Sequence, residues 1–383
     1  MFTSVLLAVA AFVIVTTEFL IVGLLPALAR DLHIAVATAG QLVTLFAVVV
    51  MVCGPFLTAW LANVERKRLF IAILLLFAAS NGLAALAPNG WVLAVARLLP
   101  ALALPVFWGT ASETAAQIAA PGQGGRAVSR VYLRISGAML FGIPLGTLAS
   151  DAIGWRGAFG LLAALSLLIA VLLAACMPTA RAHEPVRMAD QLQILKSPFF
   201  LANVGLSVLV FTAMFTGYTY LAEMLEQSAG VAPGRVGWWL MGFGAVGLLG
   251  NWLGGLWAGR RPLATTAVFC AVLAVGMVAS MALADGAGGG GAWFVLALAV
   301  WGIANTALYP VCQIRVMQAA TQAQALAGTI NVSAANGGIA LGALIGGGSI
   351  AAWGAGNIGY VSGAIALLAA LAAAFIRRPA WRR

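Results

Sequence analysis

The chain has 383 residues, of which 63% are hydrophobic and only 8% charged, and its mean hydropathy is +1.04. A water-soluble globule of this size must still cover its outside with polar groups, so the composition excludes a soluble fold and points to a bilayer. The formal net charge of +10 raises nucleic acid as a partner, but the placement of the basic residues, set out below, argues against it.

A helical crossing needs about 20 apolar residues, and twelve such stretches follow one another along the chain. The first, 4–28, has no basic leader and carries Glu18 in Thr16-Thr17-Glu18-Phe19, so it reads as a mature span rather than a signal peptide. An ionised carboxylate in hydrocarbon costs at least about 2.5 to 3.5 kcal/mol on insertion scales, so it is kept only for a task or a partner. Desolvation favours the neutral form of such a group and a nearby cation opposes this, which makes Glu18 the candidate proton carrier. The plainer alternative is a buried acid that only ties helices together.

Spans 40–62 and 69–87 flank the basic turn Arg66-Lys67-Arg68, and the short turn 88–90 leads to span 91–118, which carries Arg97. The first span runs outward and the fourth inward, so at about 1.5 Å per residue Glu18 and Arg97 sit at comparable depths. Arginine keeps its charge, so Arg97 is expected to bias Glu18 or to hold an anionic group of a substrate. The alternative is a guanidinium snorkelling to the outer interface. Glu113 and Arg134 fall near cytoplasmic ends and read as interfacial or gate ion pairs. Asp31, Asp151, Glu223 and Glu226 fall near external ends, where a solvated face is expected.

Span 131–149 contains Gly137, Gly142, Pro144 and Gly146, a run that lets helices approach closely and bends the segment, and so reads as a sliding hinge. Span 158–176 follows. The polar segment 178–197 is the cytoplasmic linker that divides an amino-terminal six-helix bundle, 1–177, from a carboxy-terminal one, 198–383. A weak internal echo supports two halves: 54–68 and 250–262 each follow the second span of their half and end in a basic turn.

Span 199–221 brings Thr212, Thr216 and Tyr220. Within span 236–258, residues 242–247 match a dinucleotide fingerprint, but no strand precedes them and they lie inside an apolar helix. After span 263–284 the glycine-rich stretch 286–291 reads as an external loop. Span 292–313 repeats Asn305, Tyr309 and Gln313 every fourth residue, hence on one face, with Pro310 bending the helix. Span 325–352 offers Asn331, Ser333 and Asn336, and span 358–376 completes the set. With aromatic Phe107, Trp108, Phe141, Tyr218 and Trp301, these polar residues are expected to line an amphipathic cavity for a small organic ligand. For each of them, plain interhelical hydrogen bonding is the alternative.

With a cytoplasmic amino terminus, 16 of the 20 basic residues, Arg315 among them, fall on the cytoplasmic side, against Arg30, Arg156 and Arg235 outside and Arg97 within a span. That asymmetry places both termini in the cytoplasm and makes the positive charge topogenic. Cys53, Cys176, Cys270 and Cys312 have no paired spacing, so neither disulfides nor a zinc site is expected. Only two histidines occur, both outside the spans, and no nucleophile, base and acid come together, which argues against an intramembrane enzyme. The seven residues after Ile376 give no output domain of the kind a non-transporting sensor carries. No Walker A loop surrounds either lysine, so the energy source is not ATP, and no cofactor or metal is expected.

In these residues the chain resembles the major facilitator superfamily, and within it the twelve-span drug:proton antiporter branch, over nearly its whole length. The resemblance rests on Thr17-Glu18-Phe19 with Gly23-Leu24-Leu25-Pro26, on Arg97, and on Gly142-Ile143-Pro144-Leu145-Gly146 with Gly154-Trp155-Arg156. The fifth-span pattern is similar to the family's antiporter motif and implies exchange; Arg97 falls at the family's fourth-span arginine, associated with proton coupling. The loop after the second span departs from the pattern, with Ala62 at the acidic position and Glu65 at the glycine, so the family's charge latch does not carry over. The segments 39–42 and 65–69 resemble most the subgroup exporting purine bases, ribonucleosides, sugars and some antibiotics.

The resemblance implies an all-α membrane protein of the bacterial inner membrane, working as a monomer. It implies proton-coupled efflux of a drug or metabolite, with a dedicated purine, nucleoside or sugar exporter as the alternative. Protons, a small-molecule substrate and the lipid bilayer are then its partners.

Overall fold

The computed structural model describes residues 2–61, 64–118, 124–177, 192–284, 291–320 and 323–376. Regular structure among them is entirely helical: α1 (Phe2–Asp31), α2 (Val36–Trp60), α3 (Arg66–Ala85), α4 (Gly90–Ile118), α5 (Gly124–Cys176), α6 (Pro198–Tyr218), α7 (Leu221–Gln227), α8 (Pro233–Ala258), α9 (Pro262–Ala284), α10 (Ala292–Ala319), α11 (Gln324–Trp353) and α12 (Ile358–Phe375). Short 3₁₀ turns at Leu192–Lys196 and Ala355–Asn357 precede α6 and α12. In hydrocarbon every backbone N–H and C=O must be bonded within its own segment, and helices do this.

Eleven of the helices are long and apolar enough to cross a membrane. One of them, α5, has 53 residues, which as a straight rod measures about 80 Å, more than twice the hydrocarbon thickness. It is two crossings: the backbone leaves the helix at Gly154 (φ 75°, ψ 159°), a conformation open essentially to glycine alone. The chain thus makes twelve crossings in two six-helix bundles. The second bundle repeats the device, with Gly354 (φ 80°, ψ 169°) closing α11 before α12. Two details differ from the sequence expectation. Residues 150–153 continue the helix instead of forming a connection, because no breaker stands before Gly154, and α7 is an extra short helix outside the twelve.

The bundles repeat in their packing too. Gly54 on α2 lets Pro105 of α4 approach, so that a Cβ there would lie 3.1 Å from the proline ring. Gly250 on α8 admits α10 so closely that a Cβ would lie 2.0 Å from the Ile303 carbonyl oxygen. Gly54 precedes α3 by the same interval as Gly250 precedes α9. Between bundles, α2 packs on α11, the first arm of α5 on α8, and α1 on α7. Outward-facing side chains are large and apolar, as with Trp91, 84% exposed, and Phe375, 80% exposed, which suits a lipid environment and no other.

Because the helices alternate in direction, the molecule has two ends, named here the Asp31 face and the Lys196 face. Among the described basic residues, Arg30, Arg156 and Arg235 lie at the Asp31 face, while Arg66, Lys67, Arg68, Lys196, Arg260 and Arg261 lie at the Lys196 face. Arg315 corrects the sequence reading. It is 1% exposed, because α10 continues past Gln313 to Ala319, and its guanidinium donates to the Asn203 carbonyl (3.1 Å) and to the Ser207 hydroxyl (2.7 Å) of α6. It ties α10 to α6 and is no surface charge.

Candidate functional site

Between the bundles lies a small cavity of about 60 Å³, well under the roughly 300 Å³ at which small-molecule sites begin, so the shut conformation encloses only its core. The first bundle contributes Phe19 of α1 with Ile143 and Pro144 of α5. The second contributes Tyr218 of α6, Leu240, Phe243, Gly244 and Asn251 of α8, and Asn305, Thr306 and Tyr309 of α10. Tyr218 and Phe243 stack with centroids 5.6 Å apart and planes at 22°, and Trp301 meets Phe243 edge-on at 5.8 Å from behind the wall. The polar groups of the wall are amides and hydroxyls, and no basic residue is among them. Asn305 is 1% exposed, and its side-chain oxygen has no hydrogen-bond partner among the described residues.

Glu18 sits on α1 one residue before Phe19, half-buried where its neighbours Thr16 and Thr17 are buried. Arg97 and Tyr309 both lie within electrostatic reach of its carboxyl. Arg97 is 2% exposed and does not snorkel. One of its terminal nitrogens donates to the Thr17 carbonyl, the other to the Glu18 carbonyl at 2.7 Å, and the guanidinium lies 4.4 Å over the Phe46 ring. Asn81 donates to Thr17 Oγ1 at 3.0 Å, and that hydroxyl donates to the Val13 carbonyl at 2.9 Å. No ion pair joins Arg97 to the Glu18 carboxylate among the described residues. The arginine therefore clamps the α1 backbone through one hydrogen bond from each terminal nitrogen, while its Nε–H has no hydrogen-bond partner among the described residues.

Of the residues expected in the cavity, Tyr218, Asn305 and Tyr309 line it, joined by Pro144 of the expected hinge. Gln313, one turn further on, faces α11 and accepts from Asn331 at 2.7 Å. Thr212, Thr216 and Asn336 donate to carbonyls of their own helices. Phe107 is fully buried edge-on against Phe70 at 5.6 Å. Trp301 is buried behind the wall, and Phe141 is half-buried away from it. Tyr220 is fully buried at the Asp31 face, where its hydroxyl donates to the Ala343 carbonyl at 2.8 Å. Gly142 and Gly146 accept Thr16 and Leu20 of α1 at Cβ distances of 2.3 Å, so the glycine run of α5 is a close contact with α1. The side chains of Trp108, Glu113, Arg134 and Gly137 lie outside the described residues. The sequence reading missed Asn251, Thr306 and Phe243, although a lone asparagine midway along span 236–258 was the available signal.

The Asp31 face is shut between the bundles. Arg30 of α1 pairs with Glu226 of α7 at 2.5 Å, Gly40 of α2 meets the Tyr220 ring, and Leu148 of α5 meets Gly237 of α8. Beside this seam, Asp31 pairs with Arg156 at 2.5 Å and accepts from Trp155 Nε1 at 3.0 Å, which fixes the end of α1 to the kink of α5. Glu223, expected to be solvated, is only 8% exposed.

Two helical bundles that wall a cavity between them, sealed at one face by contacts that cross from bundle to bundle, define a polytopic membrane transporter. Residues 7–334 match the family model described as Major Facilitator Superfamily. The chain is 34% identical over 374 residues to the Inner membrane transport protein YdhP of Escherichia coli (strain K12), covering 97% of this chain and 94% of that protein. It is 32% identical over 368 residues to a Probable sugar efflux transporter of Helicobacter pylori (strain G27), covering 94% and 92%. Among solved structures, an auto-inhibited POT family peptide transporter superposes with a TM-score of 0.73 at 16% identity, over 99% of this chain and 98% of that one, a likeness of fold alone. The chain belongs to the major facilitator superfamily, and it is a transporter and not an enzyme.

Proposed function

We propose that this protein exports a small uncharged organic molecule from the cytoplasm in exchange for protons, by rocking its two bundles about the central cavity. The observation that carries the reading is Glu18, a half-buried carboxyl midway along α1, next to the cavity wall and in no ion pair among the described residues. A carboxyl so placed is costly to keep charged and has a route for exchange, which is what a proton carrier requires. Coupling demands that proton and substrate prefer different states, because a ligand with equal affinity for both shifts nothing. Glu18 would load from outside when the cavity faces outward and unload inside, where the substrate binds the deprotonated form. Arg97, held by backbone carbonyls, keeps a positive charge beside Glu18 through the cycle.

The neutral amide and hydroxyl wall favours an uncharged polar substrate, and stacked aromatic faces suit the flat side of a sugar ring or a nucleobase. A relative named as a sugar efflux transporter makes sugars the first class to test, with purine nucleosides second because of the stacked Tyr218 and Phe243 pair. The excess of arginine and lysine at the Lys196 face supports the reading that this face is the cytoplasmic one, with both termini on that side of the inner membrane. The shut Asp31 face is then the external one, and one chain holds the whole path, so a monomer suffices. The test is binding of sugars, purine nucleosides and ethidium to the purified protein, followed by pH-driven uptake of the best ligand into proteoliposomes. Binding of ethidium alone would sink the assignment of an uncharged substrate.

A further inference from the structure

The turn between α8 and α9, at the Lys196 face, carries a second recess that has nothing to do with the central cavity. Leu256 and Trp257 at the end of α8 and Ala264 and Val268 of α9 form its apolar walls, and Arg260 and Arg261 stand at its mouth. Leu256, Trp257 and Val268 are 54%, 52% and 51% exposed. They therefore present apolar surface outward at the end of a membrane span, where the hydrocarbon gives way to headgroups. The recess is built to hold its shape. Trp257 leans on buried Phe269, with ring centroids 5.9 Å apart. The amides of Arg260 and Arg261 both bond the Trp257 carbonyl, at 3.3 and 3.4 Å, and the Thr265 hydroxyl bonds the Arg261 carbonyl at 2.9 Å.

The two guanidiniums form no ion pair among the described residues. In the matching turn of the first bundle, Arg68 pairs with Glu65 at 3.0 Å and Arg66 is only 3% exposed. At the turn of the second bundle neither Arg260 nor Arg261 meets a carboxylate among the described residues, and both stay exposed. An adjacent pair of exposed guanidiniums above an apolar groove calls for a ligand with an anionic oxygen cluster at one end and hydrocarbon at the other. Planar guanidinium groups match the oxygens of a phosphate, and basic recesses at the cytoplasmic side of membrane helices hold the headgroups of anionic lipids.

We infer that the α8–α9 turn is a binding site for one anionic phospholipid of the adjoining leaflet, its phosphate held by Arg260 and Arg261 and an acyl chain laid along Trp257, Ala264 and Val268. The same phosphate chemistry occurs in free phosphate, but the apolar walls would then stay bare to lipid, so the structure favours the lipid.

The inference does not depend on what the central cavity carries. It is tested by native mass spectrometry of the full chain released from detergent, titrated with phosphatidylglycerol, phosphatidylcholine or glycerol 3-phosphate. Wild type should retain one phosphatidylglycerol in preference to phosphatidylcholine, and glycerol 3-phosphate should not compete. Arg260→Gln/Arg261→Gln should bind phosphatidylglycerol about 30-fold more weakly, the factor expected for two basic groups at a membrane surface. Ala264→Trp, which fills the chain path and leaves both arginines, should also weaken it, whereas Lys67→Gln/Arg68→Gln in the first bundle should not. Equal retention by wild type and the Arg260→Gln/Arg261→Gln variant would overturn the site, and so would displacement by glycerol 3-phosphate alone.

Discussion

Removing the Arg30 side chain should open the Asp31 face. Arg30 and Glu226 pair at 2.5 Å with their side chains 55% and 10% exposed, so solvent screens the pair from one side. An exposed pair of this kind contributes up to about 1 kcal/mol. The pair crosses between bundles and exists only while the face is shut, so its whole contribution biases the closed state. Asp151 and Glu223 also feel Arg30, and both feel Glu226 as a like charge; removing the one guanidinium leaves carboxylates facing one another across the seam. The upper end of the range is therefore the appropriate figure, and about 1 kcal/mol is about a fivefold change in the open-to-closed ratio.

Spin labels at Ala35 and Gln227, both exposed and on opposite bundles, in a background with the four cysteines replaced, report the width of this face by electron–electron double resonance. Arg30→Gln should raise the long-distance fraction about fivefold, less so at high salt where exposed pairs are screened. Arg30→Gln/Glu226→Gln should go no further than the single variant, since the two side chains form one interaction. An unchanged distance distribution in Arg30→Gln would show that the face is held shut by packing alone and that the pair is ornamental.

Other expectations follow from close packing, backbone conformation and the cavity wall. Gly250→Val should lower the thermal midpoint in detergent by several degrees, because overpacking costs about 1 to 3 kcal/mol and the new Cβ would fall 2.0 Å from the Ile303 carbonyl oxygen. Gly255→Val, where a Cβ meets nothing within 4 Å, is the control that should leave it in place. Gly154→Val should cost about 1 to 3 kcal/mol through its forbidden φ although the space around it is open, and scanning calorimetry would read the difference. Asn305→Ala should weaken substrate binding about tenfold with little change in thermal midpoint, since its unpartnered oxygen is free to accept from a ligand; a large loss of stability without loss of affinity would make it a structural residue instead.

The crossings could be read from the sequence because a lipid-exposed chain has few options. Long apolar stretches must be helices, and their number and the polar linker give two sixes. The connection 150–157 could not be placed correctly, since no local signal distinguishes a loop from a helix that ends only at Gly154. The cavity was harder. Membrane helices are apolar all round, so hydropathy does not say which side faces inward, and the readable positions were the polar ones at helical spacing. Asn305 and Tyr309 were found that way. Thr212 and Thr216 share their kind of spacing but spend their hydroxyls on their own helix, a choice that spacing does not reveal. Arg315 was misplaced for a related reason: the apolar run stops at Gln313, but the helix does not, and α6 supplies buried acceptors for the guanidinium.

The central claim, that Glu18 trades a proton for substrate, is tested most directly in proteoliposomes loaded with a pH-sensitive dye and holding an imposed pH gradient. Adding the best-binding sugar or nucleoside should collapse the gradient through the wild-type protein. Glu18→Gln should still exchange labelled for unlabelled substrate across the membrane while moving no protons. If Glu18→Gln dissipates the gradient at the wild-type rate when substrate is added, the carboxyl on α1 is not the proton carrier.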